Sequence, residues 1–241
     1  MKLGSNVTLA TELEIRESVA DIRAALADGP ILPNIWGFYS PKNSQLITLL
    51  GDVTFIQAVL LEGDSEVSSY SVQTEIDDDD DQKYGRILLV QRRDGAKDWL
   101  FCCRYESSMK SGKNKFSVKL DKERQRAENA GFRFDIRTER DFASRMTEFW
   151  NWLALCSAMT RARDFSHEKE FMVLSSHLAK HKTCSFHGAM GMPDVDPALM
   201  IAAIARQLAF GQIACDLRNQ PLNVGTEFQR GTPTSCTISQ I

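Results

Sequence analysis

No apolar run in the 241-residue chain approaches the roughly 18 residues that a membrane span requires. The opening Met1-Lys2-Leu3-Gly4 lacks the form of a signal peptide, so a cytoplasmic protein without a membrane partner is expected. Cysteine is sparse. The six residues at 102, 103, 156, 184, 215 and 236 are scattered, mostly inside apolar runs, which fits reduced core thiols and excludes a disulfide framework. Histidine is sparser still, with four residues, all between His167 and His187. What remains is the composition of an ordinary globular protein, 43% hydrophobic and 25% charged.

The net charge of −3 conceals an uneven distribution. Residues 1–81 carry 4 basic and 15 acidic side chains, a balance of −11, and residues 82–182 carry 22 and 13, a balance of +9. Residues 183–241 are near neutral, with 3 basic and 4 acidic. A basic middle section in an acidic chain is the electrostatic footprint of nucleic-acid binding, although a solvated surface has the same composition.

Apolar spacing predicts an acidic helix over 9–28, with Glu12, Glu17, Asp21 and Asp28 on its surface, ended by Gly29-Pro30. The prolines at 30, 33 and 41 mark 30–48 as irregular. A helix is expected over 52–63, capped by Asp52 and stopped by Gly63. An alternating strand follows over 65–74, then five aspartates, Asp77 to Asp81. The stretch RILLVQRRDGAKDWLFCCRY, residues 86–105, reads as a buried hairpin: Ile87 to Val90, an Asp94-Gly95 turn, then Trp99 to Cys103. A Ser/Lys/Gly loop over 107–118, a charged helix over 119–130, a strand over 132–138 and a long amphipathic helix from Glu139 complete this part. That last helix is expected to turn Phe142, Met146, Phe149, Trp150, Leu153 and Leu155 inward. The order describes an α/β core, a mixed sheet flanked by helices. Two further helices, 171–181 and 196–211, a strand over 212–217 and a return segment over 223–228 have the pattern of a small winged-helix module. Three parts result: an N-terminal helix (1–30), the α/β domain (31–165) and the C-terminal domain (166–241).

Three stretches in this order, VLLEGDSEVSSYSVQ (59–73), ERQRAENAGFRFDIRTERDF (123–142) with NWLALCSAMTRARDF (151–165), and LAFGQIACDLRNQPLNVGT (208–226), resemble the TnsA family. Members of that family are the endonuclease subunits of heteromeric transposases. The resemblance implies a restriction-endonuclease-like domain of PD-(D/E)XK type, then a winged helix. It also implies nicking at transposon 5′ ends, with double-stranded transposon-end DNA, a transposase and a regulatory ATPase as partners. In the nucleoid, such a subunit would work on the DNA itself. The fold's chemistry is metal-assisted phosphodiester hydrolysis, with a helix Glu and hairpin acids holding Mg²⁺ and a nearby Lys helping to orient or activate water.

The hairpin lacks those acids. The helix Glu falls near Thr54, the hairpin Asp near Ile87, and the Glu-x-Lys of the return strand on Cys102, Cys103 and Arg104. The resemblance therefore implies a subunit that does not cleave, needs no cofactor, and assembles on DNA with the transposase, the ATPase or an active TnsA-like paralogue. The alternative is an active Mg²⁺-dependent endonuclease using displaced carboxylates drawn from Glu62, Asp80, Asp81 and Glu106. DNA contact is expected from Arg104, Lys110, Lys113, Lys115, Lys119, Lys122, Arg124 and Arg126. His177, His181, Cys184 and His187 have ligand types and spacing that could hold Zn²⁺, although surface histidines beside a core cysteine show the same spacing.

Overall fold

A computed structural model describes residues 34–73, 86–105 and 113–231, without the side chains of 113–116. The helix expected over 9–28, the aspartate run and the loop over 107–112 lie outside the described residues. The chain divides into two compact units. One takes residues up to 58 with 69–91 and 96–140; the other takes 59–68, 92–95 and everything from 141.

The first unit opens with a hairpin, β1 (Ile35–Ser40) and β2 (Gln45–Leu50), paired antiparallel from Ile35↔Leu50 to Ser40↔Gln45. This corrects the irregular segment expected over 30–48. Of the three prolines only Pro41 lies within the hairpin, in its turn, where no ladder hydrogen bond is lost. Buried Phe38, Ile47 and Leu49 supply the apolar face. In the turn, Ser40 Oγ accepts from Asn43 N and Nδ2, and Asn43 Oδ1 accepts from Tyr70 N. Helix α1 (Asp52–Gly63) matches its sequence bounds.

A four-stranded sheet follows in the order β3 (Val67–Val72), β4 (Arg86–Arg92), β5 (Lys97–Cys102), β6 (Arg133–Arg137). Gln73 N–H donates to Ile87 C=O and Arg93 N–H to Glu66 C=O, the opposed numbering of an antiparallel pair. β4 and β5 form the expected hairpin and occupy the centre of the sheet, with Gly95 at φ +86° in its turn. β6 runs parallel to β5, which demands a crossover. Helix α2 (Lys113–Asn129) supplies it. The helix starts six residues earlier than the expected 119, because no Gly or Pro separates Gly112 from Gly131. The result is a mixed sheet flanked by helices.

In the second unit, α3 (Glu139–Phe142), which begins just before the boundary, and a 3₁₀ turn lead into α4 (Met146–Arg161). Its buried stripe is Phe149, Trp152, Leu155, Cys156 and Met159. Trp150, expected inward, is 60% exposed, because one residue of offset rotates a side chain about 100° around the helix. Helix α5 (Glu168–Lys180), β7 (Thr183–Ser185), α6 (Phe186–Met190), α7 (Pro197–Ala209), β8 (Ile213–Ala214) and β9 (Glu227–Arg230) follow. The strands form a sheet in the order β7-β9-β8. Asp196 caps α7, its carboxylate accepting from Ala198 N and Leu199 N. α7 packs against α4, α5 and α6, so α4 lies in the same compact unit as the C-terminal helices. Among the described residues no helix is long and apolar enough to cross a membrane.

Candidate functional site

The end of the central sheet where β4 begins and β5 and β6 end carries the positions singled out by sequence. Their faces follow from the register. Ile87 pairs with Phe101, and both pack with Cys103, Leu120, Phe134 and Ile136 on the α2 side. Cys102 points to the other face, and the residue opposite it on β4 is Arg86. Ile87 is therefore on the wrong face to join Cys102 and Arg104. The position facing them is Arg86, which the sequence reading missed. Counting across the Asp94-Gly95 turn would have found it only with the loop length known, since one residue of slip exchanges the faces.

Arg137 pairs with Cys102 from the other side, so Arg86, Cys102 and Arg137 form a row across three strands. Arg137 bonds to Asp135 at 2.6 Å. Arg104 reaches Asp52 at the start of α1, 3.9 Å away, with both side chains largely exposed. Asp52 Oδ1 also accepts from Asn34 Nδ2 and Trp36 Nε1, while the Trp36 ring stacks on Phe55 at 4.4 Å. Thr54 is buried in α1. Arg86 is pulled below its ordinary value by burial. Burial pushes the Cys102 thiol far upward, with Cys103 adding to the rise and Arg137 opposing it.

Mg²⁺ takes hard oxygen donors and is not held by thiols or guanidinium groups. Thr54, Arg86, Cys102 and Arg104 do not fit it. The hairpin's buried acid, Asp98, lies four residues before Cys102, about 13 Å along the strand, and Arg133 holds its carboxylate at 2.7 and 2.8 Å. Glu62 is fully buried in the last turn of α1, about 15 Å along the helix from Asp52. Asp80, Asp81 and Glu106 lie outside the described residues. Among the described residues no group of three or more His, Cys, Asp or Glu side chains is placed to hold a metal ion. No family model matches the chain, and no curated protein matches it.

The zinc alternative is not assembled. His177 and His181 stack at 4.3 Å on the last turn of α5, while Cys184 is a buried strand residue. His177 is lowered by desolvation, then by His181.

The basic residues of α2 divide by their contacts. Lys119 Nζ lies 5.9 Å from the centre of the Phe101 ring, and the Arg124 guanidinium 5.6 Å from that of Phe134. Arg126 pairs with Glu123 at 2.9 Å, and Lys122 is exposed. Lys119, Lys122 and Arg126 sit at i, i+3 and i+7, one stripe along the helix. Lys110 lies outside the described residues, and Lys113 and Lys115 occupy the first turn of α2.

The thiols give a direct check. Iodoacetamide on the native protein, followed by peptide mapping, should leave buried Cys102, Cys103 and Cys156 unmodified. Cys215, half-exposed but pushed up to about 11 by burial and by Asp216, should react slowly. Rapid labelling of Cys102 in the folded state would contradict the placement of its strand.

Proposed function

We propose that the protein is a TnsA-like DNA transposition subunit that does not cleave: it binds duplex DNA at transposon ends and positions it for a partner that does. The observation that carries this reading is a mixed sheet flanked by helices whose one end is cationic. A helix, three antiparallel strands, a crossover helix and a fourth strand parallel to the third are compatible with the restriction-endonuclease-like plan that the resemblance implies. Where the resemblance places metal-holding acids, this chain carries Thr54, Arg86 and Cys102, and Arg104 stands at the position of the lysine. Such a surface attracts phosphate but cannot activate water through Mg²⁺. The Lys119, Lys122 and Arg126 stripe adds cations of the kind that neutralise backbone phosphates.

The second unit supports the same reading. The order helix, strand, helix, helix, strand, strand, with the sheet order β7-β9-β8, is compatible with a winged-helix module and supports that part of the reading. Its third helix, α7, which would read a DNA groove in a free module, is mostly buried, with Met200, Ala202, Ala203, Ile204, Ala205, Gln207 and Leu208 covered. This module therefore serves assembly with transposase, ATPase or an active paralogue, and DNA contact belongs to the first unit.

A labelled transposon-end duplex with the full chain tests this, with and without Mg²⁺ and the cognate transposase. The expected result is salt-sensitive binding without nicking. The affinity should fall severalfold in a Lys122→Gln, Arg126→Gln double variant, with the salt slope reduced by about 2. Mg²⁺-dependent nicking by the protein alone, lost on changing Asp52, Glu62 or Asp81, would overturn it in favour of the displaced-carboxylate nuclease.

A further inference from the structure

The geometry points to a metal-free phosphate clamp at this sheet end, in which Arg86, Arg104 and Arg137 hold a backbone phosphodiester of duplex DNA directly. This rests on the DNA-binding reading above and deepens it by naming the residues that take the phosphate. In a metal nuclease the carboxylates are negative and reach the phosphate through the cation between them. Here the residue facing Cys102 on β4 is Arg86, and Arg104 and Arg137 stand beside it, so cations can take the phosphate with no metal between.

Three observations carry it. Arg86 and Arg137 flank Cys102 in register on adjacent strands, so their Cα atoms stand about 10 Å apart on one face of the sheet. Two flexible side chains based at that separation can converge on a single phosphate. Arg104 lies two residues beyond Cys102, just past the end of β5, and meets Asp52 at 3.9 Å. Both faces are covered further along, by Ile87, Phe101 and Cys103 under α2 on one and with Leu88, Leu100 and Cys102 buried on the other. Arg86 and Arg137 are the terminal residues of their strands at this end.

Asp52 and Asp135 orient Arg104 and Arg137 without exhausting them. A guanidinium has five N–H donors and one carboxylate takes at most two, so Asp135 on Arg137 and Asp52 on Arg104 leave donors for a ligand. The Arg104–Asp52 pair is long and solvent-exposed and is easily exchanged for a phosphate contact. The ligand is an extended polyanion because a further cation stands at the same sheet end, on the α2 side. Lys119, on the first half of α2, reaches Phe101, the neighbour of Cys102, and so stands at the same end of the sheet.

The test is fluorescence anisotropy of the full chain with a labelled duplex in EDTA, over a series of salt concentrations. Wild type should bind without divalent metal. Arg86→Gln and Arg137→Gln should each weaken binding about tenfold, and each should lower the salt slope by about 0.9. Arg137→Lys should keep the slope but recover only part of the affinity, because the ammonium cannot make the two-pronged contact. If Arg86→Gln does not fold, Arg86→Lys and the two Arg137 variants carry the comparison. Wild-type affinity in the folded arginine variants, with weakening only in the Lys122→Gln, Arg126→Gln variant, would overturn the clamp and leave the DNA-binding reading intact. Binding that chelator abolishes would overturn the clamp in favour of a metal site. No binding by wild type would overturn both.

Discussion

Gly63→Ala is expected to destabilise the protein by about 3 kcal/mol, lowering its melting temperature by roughly 6–12 °C. By local propensity alone the sign should be the reverse, since alanine is the better helix residue by up to about 1 kcal/mol. Packing decides it. A Cβ at Gly63 would stand 2.2 Å from both Cε2 and Nε1 of Trp152 and 2.6 Å from Cδ1. Trp152 is a buried indole on α4 and cannot swing away without opening the core around it. The clash must be relieved by shifting α1 or α4, whose buried stripes then lose contact. A double-mutant cycle makes the cause testable. Trp152→Leu removes the obstructing ring, so Gly63→Ala in that background should cost little or even stabilise. Equal destabilisation in both backgrounds would mean that the close approach to Trp152 is not the reason.

The second large effect is expected at Asn151. This side chain is 5% exposed on α4 and bonds only to backbone of the segment between β8 and β9. Its Nδ2 donates to Leu217 O and Gln220 O, both at 2.7 Å, and its Oδ1 accepts from Leu222 N at 2.8 Å. Asn151→Ala removes all three bonds and leaves two carbonyls and an N–H without partners. The expected loss is about 3–4 kcal/mol. Asn151→Asp keeps the shape but turns two donors into acceptors facing carbonyl oxygens. Burial and that repulsion raise the folded-state pKa of the new carboxyl above its unfolded value. Stability therefore falls as pH rises through the unfolded range near 4, and the deficit relative to wild type should be largest at neutral pH. Urea denaturation at pH 7 and in acid would show it. A pH-independent deficit would mean that the aspartate has turned out into solvent.

Short-range features were legible in the sequence wherever local chemistry punctuated them. α1 could be read to the residue because Asp52 opens it and Gly63 closes it. The central hairpin followed from two apolar runs around Asp94-Gly95, and α7 from Asp196 and Pro197 at its start. β1 and β2 were hidden by prolines that proved to lie before the hairpin or in its turn. Trp150 and Trp152 could not be told apart because a two-residue step puts them on different sides of α4, and only the neighbouring helices define which side is inside.

The candidate site divides along the same line. Sequence alone determined that Thr54, Ile87, Cys102 and Arg104 are not acids, that the middle of the chain is basic, and that Arg104 stands beyond the return strand. These are statements about residue identity and short spacing, which tertiary contacts cannot alter. Only the tertiary structure decided that Arg86, not Ile87, faces the site, that Arg137 joins from a parallel strand 35 positions after Cys102, and that Gly63 is required by an indole and not simply by the end of a helix. Each depends on which face of an element is covered. In a sheet that is set by cross-strand register, and in a helix by the partner packed against it; both join residues far apart in the chain, beyond the reach of local periodicity.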